Sequence, residues 1–487
     1  MNFADAMRRE SNTKLTENGA FAYNSIGDSL MELFSQIGAL RPRTEEEIKE
    51  KFLNAYRQSP SLATKMLFYA GNIRGGLGER RTFRICLRAL AEYNSAVVMD
   101  NIANIPYYNR FDSLFSLIGT GAEAGMWHFV ESTLLNDMRQ ARQGKPVSLL
   151  AKWMPSEKAS SEDTRKIYHR ALSALSLTPR KYRKMLSFLR KYIDVTECKM
   201  SENEWSEINY SEVPSGAMKN YASAFCKHDE QRFSKYVTGV RAGKEKINAA
   251  TLFPYDLVKN YMGYSCAENP VAEEQWRALP DYIEGEHNII VMADVSGSMA
   301  GRPMETSVGL AIYFAERNKG SYANMYMTFT SEPNFIQVNP NSSLRSKVKK
   351  VRETGVGYST NLEAAFDKIL KTAITNNVNP EEMPEALVVI SDMEIDRYMR
   401  GHGTDFIGAM QLKFWDHGYD MPKLILWNVE ARQDTYLTQN DDVILVSGQS
   451  PSVFKNFIGA LNGETRRDVM LNTLNAPIYD RVVTTHC

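Results

Sequence analysis

Asp294, Ser296 and Ser298 occupy alternate positions in "VMADVSGSMAGRPM", directly after an apolar run. Thr360, in "GVGYSTNLEAAF", follows a glycine-containing loop ahead of a helical pattern, and Asp392, in "LVVISDME", ends a second apolar run. Two carboxylates and three hydroxyls, with no imidazole and no thiolate, make an all-oxygen donor set. Such a set suits a hard cation, Mg²⁺ first and Mn²⁺ or Ca²⁺ next. Mg²⁺ takes about six oxygens at ~2.0–2.1 Å and keeps several of them as water. The expected division of labour has Ser296 and Ser298 coordinating directly, and Thr360 directly or through water. Asp294 and Asp392 balance charge and orient waters. One position then stays open for an outside carboxylate or phosphate oxygen. The plainer alternative makes either serine a helix cap and Asp294 a turn residue, which leaves Thr360 and Asp392 unexplained.

Hydrolytic chemistry is poorly supplied. "DVSGSM" is not a Gly-x-Ser-x-Gly elbow, and His402 and His417 lie on or near a predicted helix as surface or packing residues. "GVGYST" lacks the lysine of a phosphate-binding loop. Two-metal phosphoesterases use more carboxylates, and Glu394 is the one further acid close in sequence to Asp392. The residues point to binding, not to an enzyme.

The elements that must position this donor set follow from the change of hydrophobic period near residue 287. "NIIVMADVS", "NMYMTFT", "EALVVISD", "KLILWNVE" and "DVILVSG" read as buried strands. They alternate with helical patterns at "METSVGLAIYFAERN", "LEAAFDKILKTAI", "DFIGAMQLKFWDHG" and "SVFKNFIGAL". Alternation of this kind predicts right-handed crossovers and a mostly parallel sheet covered on both faces. Ligands of such sheets gather beyond the carboxyl ends of the strands, where Asp294 and Asp392 fall. The preceding residues carry helical spacing instead, as in "SLMELFSQIGAL", "TFRICLRALAEY" and "YRKMLSFLRKYI". A chain of 487 residues exceeds one core. The expected organisation is a helical, HEAT-like or irregular-repeat domain over 1–262, a linker over 263–286 and an α/β Rossmann-like domain over 287–487. The five cysteines are scattered and without CxxC spacing, no stretch has the length of an apolar membrane span, and a cytoplasmic protein without membrane contact is expected.

Charge is unevenly placed although it sums to zero. Residues 139–260 hold 23 Lys/Arg against 13 Asp/Glu, and residues 261–487 hold 20 against 29. Within the basic part, "RKIYHRALSALSLTPRKYRKMLSFLRKY" (165–192) has nine cations and no acid. Pro179 opens a helix capped by Thr178. On that helix Tyr182, Leu186, Leu189 and Ile193 would face a core, and Arg180, Arg183, Lys184 and Lys191 would point away. Arg180, Lys181, Arg183, Lys184, Arg190 and Lys191 are therefore the candidate RNA contacts, with Tyr168 or Tyr192 as candidate stacking rings. In "NIRGGLGERRTF" a helix–helix corner with Glu79 paired to an arginine is preferred over a phosphate site.

The Asp-x-Ser-x-Ser pattern with a distant Thr and a distant strand-end Asp resembles the metal-ion-dependent adhesion site (MIDAS) of von Willebrand factor A (vWA) domains. A helical first part, a basic middle and such a domain last resemble Ro-type (TROVE) ribonucleoproteins. The resemblance runs nearly end to end with a related plant, bacterial and phage family, through "LTENGAFAY", "IRGGLGER", "AKWMPSE", "LTPRKYRKMLSFLRKY", "WSEINYSEVPSGAM", "KINAATLFPYDLV", "DVSGSM", "STNLEAAF" and "VISDME". It implies a ring of helical repeats closed by the A domain, binding small structured noncoding RNA and the ends of defective RNA. The competing expectation is a metal-dependent protein-interaction module, as in A domains that serve AAA+ ATPases, without RNA.

Overall fold

The computed structural model describes residues 12–16, 21–263, 269–283, 285–354, 360–395, 406–438, 440 and 442–485. Gly355 to Ser359, His402, Cys266 and Cys487 lie outside the described residues. The chain forms two compact units, one of residues 1–47 with 249–476 and the other of 48–248 with 477–487.

The first unit is built on a six-stranded sheet. Its strands are β3 (Ile289–Ala293), β4 (Met325–Thr328), β5 (Phe335–Gln337), β6 (Ala386–Ser391), β7 (Lys423–Asn428) and β8 (Ile444–Ser447), in the order β5-β4-β3-β6-β7-β8. A short antiparallel hairpin, β1 (Thr13–Leu15) and β2 (Phe21–Tyr23), precedes it. All pairs in the large sheet are parallel except β4 with β5 at the edge. The five expected strands are present, and β3 and β6 are buried at every position, as strands covered on both faces must be. Alternate residues face opposite layers. Met292, Val389 and Leu426 join Phe366, Met410 and Phe414 from the helices Leu362–Asn376 and Phe406–Trp415 in one core. On β7, Trp427 packs against Phe454 and Phe457 of the helix Val453–Leu461, and its indole N–H donates to the Gly448 carbonyl at 2.7 Å.

Two sequence boundaries do not coincide with the units. The N-terminal segment, expected in the helical domain, belongs with the sheet. Its helix Ser29–Gln36 buries Leu30, Met31, Leu33 and Phe34, and the backbone after it runs against the end of β8. There Gly38 is needed: a Cβ would lie 2.5 Å from Gly448 Cα and 2.7 Å from the Ser447 carbonyl. Arg43 fixes the segment further, donating to the Ala431 carbonyl at 2.9 Å and pairing with Asp434 at 2.7 Å. The expected linker contains the helix Pro270–Arg277, capped by Asn269. Its Trp276 is buried and donates to Glu316 Oε2 at 2.7 Å, so this helix is packed structure. Pro270 opens that helix, and Pro280 follows its end.

The second unit is helical between Ile48 and Asn248, as expected, and it also takes residues 477–485. Tyr479 is fully buried, stacks on Tyr108 at 5.6 Å and meets Tyr69 edge-on. Asn101 receives the Val483 amide and donates to its carbonyl, and Asn104 donates to the Arg481 carbonyl. The loop in "NIRGGLGER" is a corner between the helices Pro60–Gly71 and Arg80–Tyr93, with Asn72 Oδ1 accepting the Arg74 and Gly75 amides. Among the described residues no helix is long and apolar enough to cross a membrane.

Candidate metal centre and cationic helix

The order of the sheet creates a switch point. From β3 the chain crosses to β4 on one side and later returns to β6 on the other, so a crevice opens beyond the carboxyl ends of β3 and β6. Asp294 directly follows β3, and its amide donates to the Ile390 carbonyl of β6 at 3.1 Å. Its side chain is completely buried. Oδ2 accepts the Ser391 hydroxyl at 2.6 Å and Oδ1 accepts the Ser296 amide at 2.9 Å. Ser296 Oγ lies 3.1 Å from Ser298 Oγ, so the two serine hydroxyls form one edge. Gly301, with φ +88°, then turns the chain into the helix Arg302–Arg317.

At the end of β6, Asp392 is buried. Its Oδ1 accepts the Glu394 amide at 3.2 Å, and its Oδ2 is enclosed without a hydrogen bond. Met393 between them has φ +67°, a left-handed conformation that a bulky side chain rarely adopts. That turn carries the Glu394 amide back onto Asp392 and presents the Glu394 carbonyl to Thr360, whose Oγ1 donates to it at 3.2 Å. Thr360 is itself buried and directly precedes Asn361, the cap of the helix Leu362–Asn376. Asp294, Ser296, Ser298 and Asp392 thus lie together beyond the carboxyl ends of β3 and β6, and Thr360 is bonded to the Glu394 carbonyl in the turn that follows Asp392.

Electrostatics at this rim favour a cation. Burial is the main cause that pushes Asp294 from its ordinary 3.8 up to about 6; the neighbouring Asp392 adds to it, while Ser391 and Ser296 oppose it. Burial also raises Asp392, against the Glu394 amide, the nearby Ser298 hydroxyl and Arg432. Two desolvated carboxylates close together are costly as anions unless a positive charge joins them. The orphaned Asp392 Oδ2, the Asp294 carboxylate and the paired serine hydroxyls fit a hard divalent ion by donor chemistry. Among the described residues no group of three or more His, Cys, Asp or Glu side chains gathers to hold a metal, so hydroxyls must supply much of any ligation. One residue at the rim was not foreseen. Arg432, from the loop after β7, pairs with Glu430 at 2.6 Å, donates to the Ser298 carbonyl and reaches within 3.9 Å of Asp392 Oδ2. A lone arginine in "NVEARQD" carries no motif that would have found it.

On the helix Pro179–Tyr192, Thr178 Oγ1 caps the Lys181 amide and Tyr182, Leu186 and Leu189 are buried, as the spacing predicts. Arg180, Lys181, Arg183, Lys184 and Lys191 are exposed. Arg190 is not available as a candidate contact. It lies inward and donates to the carbonyls of Ala151 at 2.8 Å and Met154 at 2.7 Å and to Ser156 Oγ at 3.2 Å, pinning a neighbouring turn. The candidate stacking rings are also engaged. Tyr168 is buried against Tyr182, and the Tyr192 hydroxyl donates to the Lys145 carbonyl. Phe188 is an exposed ring of this helix, at 42%, and Tyr192 is exposed beside it although its hydroxyl is engaged. The helical offset of Phe188 from Lys184 and Lys191 shows that this was readable from spacing.

Comparison with known proteins gives similarity without an assigned activity. Residues 288–476 match the model of a domain of unknown function, DUF7788, and residues 158–288 match that of another, DUF2828. The first match ends at the residue where the sheet-containing unit ends. The chain is 28% identical to "Uncharacterized protein L728" of Acanthamoeba polyphaga mimivirus, over 92% of this chain and 85% of that protein.

Proposed function

We propose that this chain is a non-enzymatic, Ro-like RNA-binding scaffold whose sheet-containing unit is a von Willebrand factor A-type domain with a divalent-cation site. The observation that supports the metal part is the grouping of Asp294, Ser296, Ser298 and Asp392 at the β3/β6 switch point, with Thr360 bonded to the Glu394 carbonyl of the adjoining turn. The serine hydroxyls and Thr360 would hold the ion, with the two carboxylates balancing its charge. A bound Mg²⁺ or Mn²⁺ supplies a hard Lewis-acid position for an outside carboxylate or phosphate oxygen.

The RNA part rests on the helix Pro179–Tyr192. Five exposed cations on one amphipathic helix, in a stretch free of acids, are an electrostatic footprint for a phosphate backbone. Filter binding with structured and single-stranded RNA tests it. If all five cations engage a single strand, log affinity falls against log salt with a slope of about −3.5. Reversing Arg180, Lys181, Arg183 and Lys184 to Glu abolishes most of that slope. Absence of RNA binding at low salt ends this part of the reading.

The alternative is a metal-dependent protein-interaction module without RNA, favoured by the enclosed Asp392 Oδ2 without a hydrogen bond beside the half-buried Ser298. It predicts a partner from the native host that chelator releases and nuclease does not.

A further inference from the structure

Arg432 has a place at the rim that the metal reading leaves unexplained. Its side chain is one-third exposed while Asp392 is enclosed, so the guanidinium sits between solvent and the buried carboxylate. Its Nε donates to Glu430 Oε2 at 2.8 Å. The Glu430 amide in turn donates to Asn428 Oδ1 at 2.9 Å, at the end of β7. The guanidinium is therefore held by a rigid strand end while Nη2 spans from the Ser298 carbonyl toward Asp392 Oδ2. Those two groups flank the hydroxyl edge that would receive the ion.

We propose, resting on the metal reading above, that Arg432 is a tethered counter-cation that neutralises Asp392 in the metal-free site and competes there with the divalent ion, and so sets the ion's affinity. A fixed positive charge beside the same carboxylate repels an incoming double charge through a poorly screened medium. Glu430 moderates that repulsion by sharing the guanidinium. Removing Arg432 leaves both Asp392 and Glu430 for the ion, whereas removing the Glu430 charge leaves Arg432 uncompensated. The two substitutions therefore act in opposite directions. If Arg432 merely pins the Ser298 loop, its loss disorders the hydroxyl edge and weakens the ion instead.

The test is Mn²⁺ binding to the full chain by electron paramagnetic resonance titration, with thermal melts in chelator and in Mn²⁺. Arg432→Gln is expected to bind Mn²⁺ at least about tenfold more tightly than wild type. It should also melt lower in chelator, because Asp392 loses its counter-charge, and gain more on Mn²⁺ addition. Arg432→Lys, which keeps the charge, stays within a few-fold of wild type, and Glu430→Gln binds several-fold more weakly. Equal or weaker Mn²⁺ binding by Arg432→Gln overturns the proposal while leaving the metal site standing. Should that variant not fold, unchanged or tighter binding by Glu430→Gln overturns it. If wild type and every variant fail to bind Mn²⁺, the metal reading itself has failed and this proposal with it.

Discussion

Replacing Asp294 by Asn should stabilise the chelated protein and destabilise the metal-loaded one relative to wild type. In the absence of an ion, the buried carboxylate is raised from 3.8 to about 6. That difference corresponds to about 3 kcal/mol against the charged form at neutral pH. Asn removes the charge and can still accept the Ser296 amide. It turns an NH₂ toward Ser391 Oγ, which now donates to Asp294 and already accepts the Met393 amide at 3.1 Å. The lost donation costs about 1 kcal/mol, so a net gain of about 1–2 kcal/mol remains. In a unit of this size that is ~3–6 °C in melting temperature. The sign depends on pH. Because the folded-state value is raised, the wild-type carboxyl carries no penalty below its ordinary 3.8, and stability is lost as pH rises through about 6. The advantage of the variant should therefore appear at pH 7.5 and vanish near pH 4. Millimolar Mg²⁺ or Mn²⁺ reverses the order: an ion at a hundred times its Kd adds about 2.7 kcal/mol to wild type alone. The assay is a melt in chelator and in metal at both pH values. A variant melting below wild type in chelator at pH 7.5 would refute the burial argument. A wild type indifferent to both metals would refute the donor set.

Two further outcomes follow from the packing. Gly38→Ala places a methyl group against backbone atoms of Ser447 and Gly448, which cannot rotate away as a side chain can; a loss of roughly 2–4 kcal/mol is expected, read by denaturant unfolding, and a near-neutral result would mean that the N-terminal segment does not dock on β8. Glu123 accepts the Gly119 amide at 2.8 Å, the Trp127 indole at 3.1 Å and Arg170 at 2.7 Å, with the Arg170 contact the main cause holding its carboxyl down at about 2. Its contribution is present above its ordinary 4.5 and is lost as pH falls toward 2. Glu123→Gln should cost about 1–2 kcal/mol at pH 7 and little at pH 2, and an equal cost at both would sink the assignment.

The central strands were legible because strands buried on both faces are written as unbroken apolar runs, and the positions of Asp294, Asp392 and Thr360 were legible because each ends such a run or precedes a helix. β5 was not, since "FIQ" is three residues at an exposed edge. The placement of residues 21–47 was not either. Helical spacing shows which face of Ser29–Gln36 is apolar but not which distant element covers it, and the decisive residue, Gly38, signals only by lacking a side chain. Arg190 was counted with the cations of its helix, and the acceptors that draw it inward, the Ala151 and Met154 carbonyls and Ser156 Oγ, lie 34 to 39 residues away in sequence, where helical spacing says nothing. Met393 gave no warning, since a left-handed turn is expected of Gly or Asn.

The passage of the chain between units bears on how the protein is made. Synthesis runs from the N-terminus, so the helices of 48–248 emerge before the whole of 249–476, yet the pocket among Tyr69, Asn72 and Tyr108 is filled only when Tyr479 arrives. Until then the nascent helical unit carries an open aromatic slot and two asparagines, Asn101 and Asn104, without the Arg481 and Val483 backbone they later grip. Ribosome-bound intermediates should accordingly be open to protease near this slot and to chaperones, and locking it must wait until residues 249–476 have been synthesised.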